Sequence, residues 1–114
     1  MDSPLDLERL GVIRNYIKKR QDDKTTPDEM VTFFESRAVI HDNGLLWSDT
    51  YSGHDEIRNY YAKPPTMKPT SVTDPAPVGS GGDFAVTVWA GLLSRSVTFS
   101  FQRGATLINV LTIE

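Results

Sequence analysis

Cysteine is absent from the 114-residue chain. There is therefore no disulfide and no thiolate metal site, which fits a reducing compartment. Cations do not dominate: 12 Lys and Arg stand against 15 Asp and Glu, giving a net charge of −3 and a pI near 5.3. A nucleic-acid footprint is normally basic, so this balance argues against that class of partner. Lys18, Lys19 and Arg20 form a short basic run, but Asp22 and Asp23 follow it, and it reads as a solvated helix end. Histidine is scarce. His41 and His54 have no partners at metal-ligand spacing, so no metal site is expected. Apolar runs long enough to span a bilayer are missing, which predicts no membrane partner. The opening MDSPLDLERL carries acids and no apolar h-region, which predicts no secretory signal and a cytoplasmic location. Internal repeats are absent. The length predicts one domain over residues 1–114, large enough to bury a core without staples.

Capping signals stand out. Ser3 precedes Pro4, and Asp6 lies in what would be the first turn, so a helix starts there. Leu5, Val12, Ile13, Tyr16 and Ile17 share one side of its wheel, with Leu10 at the edge. The apolar stripe stops near residues 22–24. Thr26-Pro27-Asp28-Glu29 has the form of a capping box and starts a second, short helix. Met30, Phe33 and Phe34 share its face, and it is expected to end near residues 36–37.

Residues 38–42 are β-prone, and Asn43-Gly44 signals a two-residue hairpin, since both residues tolerate positive φ. Residues 45–51 then return as the partner strand, anchored by Trp47 and Tyr51. Ser52 is placed to cap a third helix, with Asp55 and Glu56 in its first turn. Ile57, Tyr60 and Tyr61 form its buried face, and Pro64-Pro65 stops it. A strand over 70–73 is compatible with Pro69, Pro75 and Pro77 only at an edge or a bulge. Ser80-Gly81-Gly82 turns the chain. Beyond it, Phe84, Val86 and Val88 alternate with Ala85, Thr87 and Trp89, and Val97, Phe99 and Phe101 alternate with Thr98, Ser100 and Gln102. Arg103-Gly104 turns again. Residues 107–113 are apolar on both faces, as in a covered central strand.

The order α-α-ββ-α-ββββ predicts an α+β fold. A curved mixed or antiparallel sheet wrapped over three helices makes a cone-shaped barrel and leaves a cavity. Val12, Tyr16, Phe34, Tyr60, Val86, Val97 and Phe99 are its expected lining.

This order, with the segments FFESRAVIHDN, YSGHDEIRNYYAK and FQRGATLINVLTIE, resembles the nuclear transport factor two-like superfamily over nearly the whole chain. That group includes ketosteroid isomerases, SnoaL-like polyketide cyclases, scytalone dehydratase and non-catalytic transport factors. VIRNYI is similar to the isomerase segment that carries an oxyanion-hole tyrosine, and Tyr16 falls on that position. AVIHDN is similar to the segment that carries the catalytic base, and Asp42 falls there. The resemblance implies a homodimer through the outer sheet face. It also implies a cofactor-free isomerase or cyclase acting on a small apolar carbonyl, polyketide-like or steroid-like molecule. In that chemistry an Asp in an apolar pocket, with its pKa raised, moves a proton beside a carbonyl and a buried phenol stabilises the enolate. One departure is visible: the family's second oxyanion donor falls on Val97, which has no hydrogen to donate.

Other readings stay open beside this one. Asp before Asn-Gly also serves turn chemistry alone. An inward tyrosine is also ordinary core with a satisfied hydroxyl. His41 points opposite to Asp42 on a strand and is the substitute base if the faces are reversed. Asn109 is a candidate polar group of the pocket, Trp89 shapes the pocket or its surroundings, and Trp47 and Trp89 are candidates for stacking on a flat ligand or for a dimer face. Asp49, between Trp47 and Tyr51, is a candidate for the pocket mouth but reads first as a surface hairpin residue. A non-catalytic ligand-binding or dimerisation module is the main alternative. Epoxide hydrolysis or dehydration would need a second inward acid or histidine near Asp42.

Overall fold

A computed structural model of the chain describes residues 3–44, 46–63 and 69–114. Helix α1 (Pro4–Gln21) begins where Ser3 Oγ accepts the Asp6 N–H at 3.1 Å. Helix α2 (Pro27–Val31) begins where Thr26 Oγ1 accepts the Glu29 N–H at 3.2 Å. Strands β1 (Phe34–Asn43) and β2 (Ser48–Ser52) then lead into α3 (Gly53–Ala62). Five strands follow: β3 (Ser71–Val72), β4 (Ala76–Val78), β5 (Asp83–Ala90), β6 (Leu93–Ser100) and β7 (Ile108–Ile113).

The result is an α+β cone. A curved, unclosed seven-stranded mixed sheet, in the order β2-β1-β7-β6-β5-β3 with β4 also on β5, wraps over the three helices. β1 and β7 are parallel, and the other pairs are antiparallel. The core between the layers holds the fully buried Ile13, Phe34, Ile40, Ile57, Phe99, Ile108 and Leu111. Among the described residues no helix is long and apolar enough to cross a membrane.

Several local expectations are corrected. The second helix stops at Val31, because Phe34 already pairs with Ile108 in the parallel ladder. Phe33 O accepts the Ile108 N–H at 2.9 Å, and those long-range bonds draw 34–37 into β1 across a bulge. Asn43-Gly44 is not a two-residue turn. Asn43 is still in the ladder opposite Ser48, and Gly44 is not among the positive-φ glycines. A two-residue turn would set Ile40 against Trp47. The observed register sets Ile40 against Tyr51, whose ring packs 4.9 Å from that of Tyr60. Burial of that aromatic pair selects the register. The partner strand therefore starts at Ser48, and Trp47 is left largely exposed before it. Ser52 makes no side-chain cap; its N–H instead donates to Glu56 Oε1 at 3.0 Å. The edge strand expected over 70–73 is present as β3, and a further short strand, β4, also pairs with β5, with Pro77 opposite Phe84. Leu45 and the Pro64-Pro65 stop lie outside the described residues.

On α1 the buried face is Arg9, Leu10, Ile13 and Tyr16, rotated away from Leu5 and Val12. Arg9 is 3% exposed and donates to three backbone carbonyls. Its Nε bonds Ala105 O at 2.8 Å, Nη1 bonds Gly82 O at 3.1 Å, and Nη2 bonds Gln102 O at 2.9 Å. Its guanidinium also lies over the Phe101 ring at 4.9 Å. Gly82 has φ of +84°, and a Cβ there would collide with Arg9 Nη1. The clamp thus ties α1 to the turn before β5 and to the connection before β7.

Candidate active site

Strand parity builds the wall of a cavity. The ladder places Asp49, Asp42, Ile113 and Val97 in one row across β2, β1, β7 and β6. All four face the helices and bound an opening of about 560 Å³. Val72 and Val88 extend the same wall, and Tyr16 from α1 and Tyr60 from α3 cover it. Arg20, Lys63, Leu46 and Trp47 also bound the opening. That volume is in the range of small-molecule sites.

Asp42 is not in apolar surroundings, as the resemblance implied. Its Oδ1 accepts Arg95 Nη2 at 2.5 Å and its Oδ2 accepts the Tyr60 hydroxyl at 3.1 Å. The same Arg95 nitrogen donates to Asn43 O at 3.0 Å. The two side chains of the ion pair are 25% and 28% exposed. Asp42 therefore sits as a charge-paired, oriented carboxylate on the cavity wall. His41 points to the other sheet face, with Nδ1 3.2 Å from Thr50 Oγ1, so it is not the base presented to this cavity. His54 is half-buried at the start of α3, with Nε2 3.0 Å from Phe34 O.

Tyr16 is buried, with its hydroxyl 2.6 Å from that of Tyr61. Its ring meets those of Phe33, Phe34, Tyr61 and Phe99 edge-on. Burial pushes the Tyr16 phenol above its ordinary value, against the opposing effects of the Tyr61 hydrogen bond and the Arg20 charge. Tyr60 is also pushed up by burial, with Tyr16 and Asp42 adding to it. Tyr61 is pushed up by burial and then by Tyr16. All three phenols therefore keep their protons at neutral pH and act as donors. Tyr61 lies behind Tyr16 and does not border the cavity. Among the described residues Tyr61 Oη bonds only Tyr16 Oη, and either hydroxyl can be the donor; donation by Tyr61 leaves the Tyr16 proton free for the cavity.

The structure thus brings together Asp42, Tyr16, Tyr60 and Val97 of the expected residues. Phe34, Val86 and Phe99 are core, and Val12 packs against that core from its partly exposed side. Phe34 and Phe99 support the Tyr16 ring from beneath, at centroid distances of 6.1 and 5.3 Å. Trp89 is 39% exposed, with its neighbours Val88 and Ala90 on the cavity side. Asn109 is half-buried and off the wall. Asp49, read as a surface hairpin residue, borders the cavity opposite Asp42. Arg95 and Arg20 at the cavity, and Tyr61 behind Tyr16, are not among the expected site residues. The signal for Arg95 was period 2, since it lies two and four residues before Val97 and Phe99. For Arg20 it was the i+4 spacing from Tyr16. Among the described residues no group of three His, Asp or Glu side chains could hold a metal ion.

This architecture is the nuclear transport factor two-like, or cystatin-like, α+β fold. Neither a protein-family profile nor a curated protein matches the chain. Solved structures do. A protein from Sphaerobacter thermophilus is 16% identical, with a TM-score of 0.67 over 90% of this chain and 91% of that one. The epoxide hydrolase/cyclase-like enzyme SalBIII, of pyran ring formation in the polyether salinomycin, is 17% identical, with a TM-score of 0.63 over 94% and 89% of the two chains. A protein of unknown function with a cystatin-like fold from Methylobium petroleophilum PM1 is 15% identical, with a TM-score of 0.64 over 95% and 75%. At these identities the likeness is one of fold. The fold hosts at least one enzyme, and the chemistry of this chain has to be argued from its own cavity.

Proposed function

We propose that this protein is a cofactor-free enzyme, of isomerase or cyclase type, that moves a proton on a small, mainly apolar molecule bearing a carbonyl. Asp42 is the general base and Tyr16 the donor to the oxygen on which charge develops. The observation that carries this reading is that both groups border one cavity, each held by a second residue: Asp42 by Arg95 and Tyr16 by Tyr61. The ligand lies against Val72, Val88, Val97 and Ile113. The Asp42 carboxylate takes a proton from the carbon beside the carbonyl, and the electron pair moves onto the oxygen. The Tyr16 hydroxyl stabilises that enolate, and its own oxygen is polarised by the Tyr61 proton. Proton return, or attack of the enolate on a second carbonyl, completes isomerisation or ring closure. Val97 supplies no second donor, and the loss of one such donor costs about two to three orders of magnitude in rate.

The test is deuterium incorporation beside the carbonyl of small cyclic ketones in D2O, followed by NMR. Wild type is expected to exceed buffer. Asp42→Asn is expected to fall to the buffer rate, and equal exchange by that variant sinks the proposal. The same assay separates the non-catalytic binding module, which would bind such ketones and exchange nothing.

One observation favours a second reading. Asp49 pairs with Asp42 across the hairpin and borders the same cavity. Two facing acids suit epoxide opening or ether ring closure, the activity class named for SalBIII. Asp49→Asn would then abolish epoxide turnover and leave ketone exchange intact. For the assembly we propose a homodimer through the outer sheet face, where Thr50, His41, Thr112, Thr98 and Ala85 form a row across five strands.

A further inference from the structure

Cations gather at the cavity although the chain carries a net charge of −3. Three of them, Arg20, Lys63 and Arg95, border it, against two carboxylates, Asp42 and Asp49. Arg95 is paired with Asp42. Arg20 and Lys63 have no carboxylate within ion-pair distance among the described residues, whereas Lys19 and Arg58 do. Each is instead laid on an aromatic ring. Arg20 Cζ is 5.1 Å from the Tyr61 centroid and Lys63 Nζ is 5.5 Å from the Tyr51 centroid. The Tyr60 ring is 4.9 Å from both of those rings, so the two cations flank one tyrosine cluster, of which Tyr51 and Tyr60 border the opening.

Stacking on a ring positions a charged head without neutralising it. A fixed charge at a low-dielectric cleft also attracts an anion more strongly than a solvated lysine does. The Arg20 charge reaches inward, since it opposes the upward shifts of Tyr16, Tyr60 and Tyr61. The guanidinium fork matches a terminal oxyanion in two parallel hydrogen bonds.

We infer that Arg20 and Lys63 form an anion-binding rim, and that the ligand is an amphipathic acid. Its apolar part lies in the cavity and its terminal oxyanion, a carboxylate or a phosphate monoester, stays at the mouth. This rests on the reading of the cavity as a small-molecule site and adds the chemistry of one end of its ligand. The two flanking cations also set orientation, because an acid anchored at the rim presents its far portion to Asp42 and Tyr16.

The experiment compares octanoate, octyl phosphate, octanol and octylamine below their micellar concentrations, by calorimetry and by the fluorescence of Trp47, which borders the opening. At least one anion is expected to bind about tenfold more tightly than octanol, as two partly sheltered ion pairs allow. Whichever anion leads identifies the headgroup. Octylamine is expected to bind weakest, and 500 mM salt should weaken the anion but not the alcohol. Arg20→Gln and Lys63→Gln should each cut the anion-to-alcohol affinity ratio about threefold, and together bring it near one. Arg20→Gln also disturbs the contact with Tyr61, so Lys63→Gln carries the claim independently. Octanol binding as tightly as the anions, or a ratio unmoved by both substitutions, overturns the rim and leaves the ketone reading standing. If none of the four binds, the rim and the cavity reading fall together. Loss of ketone exchange with the anion preference intact would remove only the catalytic proposal.

Discussion

Arg95→Leu is the perturbation with the most to tell. It removes the 2.5 Å bond to Asp42 Oδ1 and the 3.0 Å bond to Asn43 O. An exposed ion pair contributes about 0.2–1 kcal/mol, whereas breaking a fully buried one costs about 3–5 kcal/mol. With side chains 28% and 25% exposed, this pair lies between those limits. Loss of the pair and the carbonyl bond should cost about 2–3 kcal/mol, or about 8–12 °C in Tm for a chain of this size. Asp42→Asn keeps an acceptor for Tyr60 and should cost less, about 1–2 kcal/mol. Replacing both partners removes the stranded charge, so the double variant should be more stable than the sum of the singles by about 1–2 kcal/mol. Urea unfolding of wild type, both singles and the double gives the coupling directly. Additive losses, or an Arg95→Leu variant within about 0.5 kcal/mol of wild type, would show that the pair does not hold Asp42 and would refute the account of its orientation.

Tyr16→Phe should lower ketone exchange by about two to three orders of magnitude, and Tyr61→Phe by about one, because Tyr61 acts through Tyr16; equal effects would contradict that order. Burial holds Tyr16, Tyr60 and Tyr61 above their ordinary value, so above about pH 10 the unfolded chain sheds protons that the folded chain keeps. The contribution of the three phenols should therefore be flat from pH 8 to about 10 and fall as pH rises further, by up to about 1.4 kcal/mol per pH unit for each phenol, with a shallower fall in Tyr61→Phe; urea midpoints from pH 8 to 11 check this. Gly82→Ala combines φ of +84° with a Cβ in collision with Arg9. It should cost about 2–3 kcal/mol by urea unfolding, against less than about 1 kcal/mol for Gly81→Ala, where nothing lies nearby. Light scattering should give twice the 12.7 kDa chain mass, and Thr98→Arg on the outer sheet face should halve it.

The architecture was legible because capping residues, period-2 alternation and order are local signals. Ser3, Thr26 and the alternation from Phe84 onward mark their elements without tertiary information. The errors arose where distant pairing overrides local preference. Phe34 reads as the end of a helix until Ile108 is available to bond it. Asn43-Gly44 reads as a tight turn until the packing of Tyr51 on Tyr60 fixes another register. For the site, Asp42 and Tyr16 were reachable from periodicity and resemblance. The partner of each was not, since Arg95 lies 53 residues from Asp42 and Tyr61 lies 45 from Tyr16. Whether a carboxylate is bare or paired depends on which strands become neighbours, and that was not marked around Asp42. The core and the cavity wall also share strand faces, so alternation alone could not tell Val97 from Phe99.

Arg9 and Tyr16 ride on the same helix seven residues apart, about 10 Å along its axis. One end of that rod is bolted to two turns by a lone cation, and the other carries Tyr16 to the cavity. A change at Gly82 would thus be felt first as a tilt of the lever, then as a displaced Tyr16 proton. Residues remote from any ligand would in this way govern aim, and a damaged hinge could pass for a damaged catalyst.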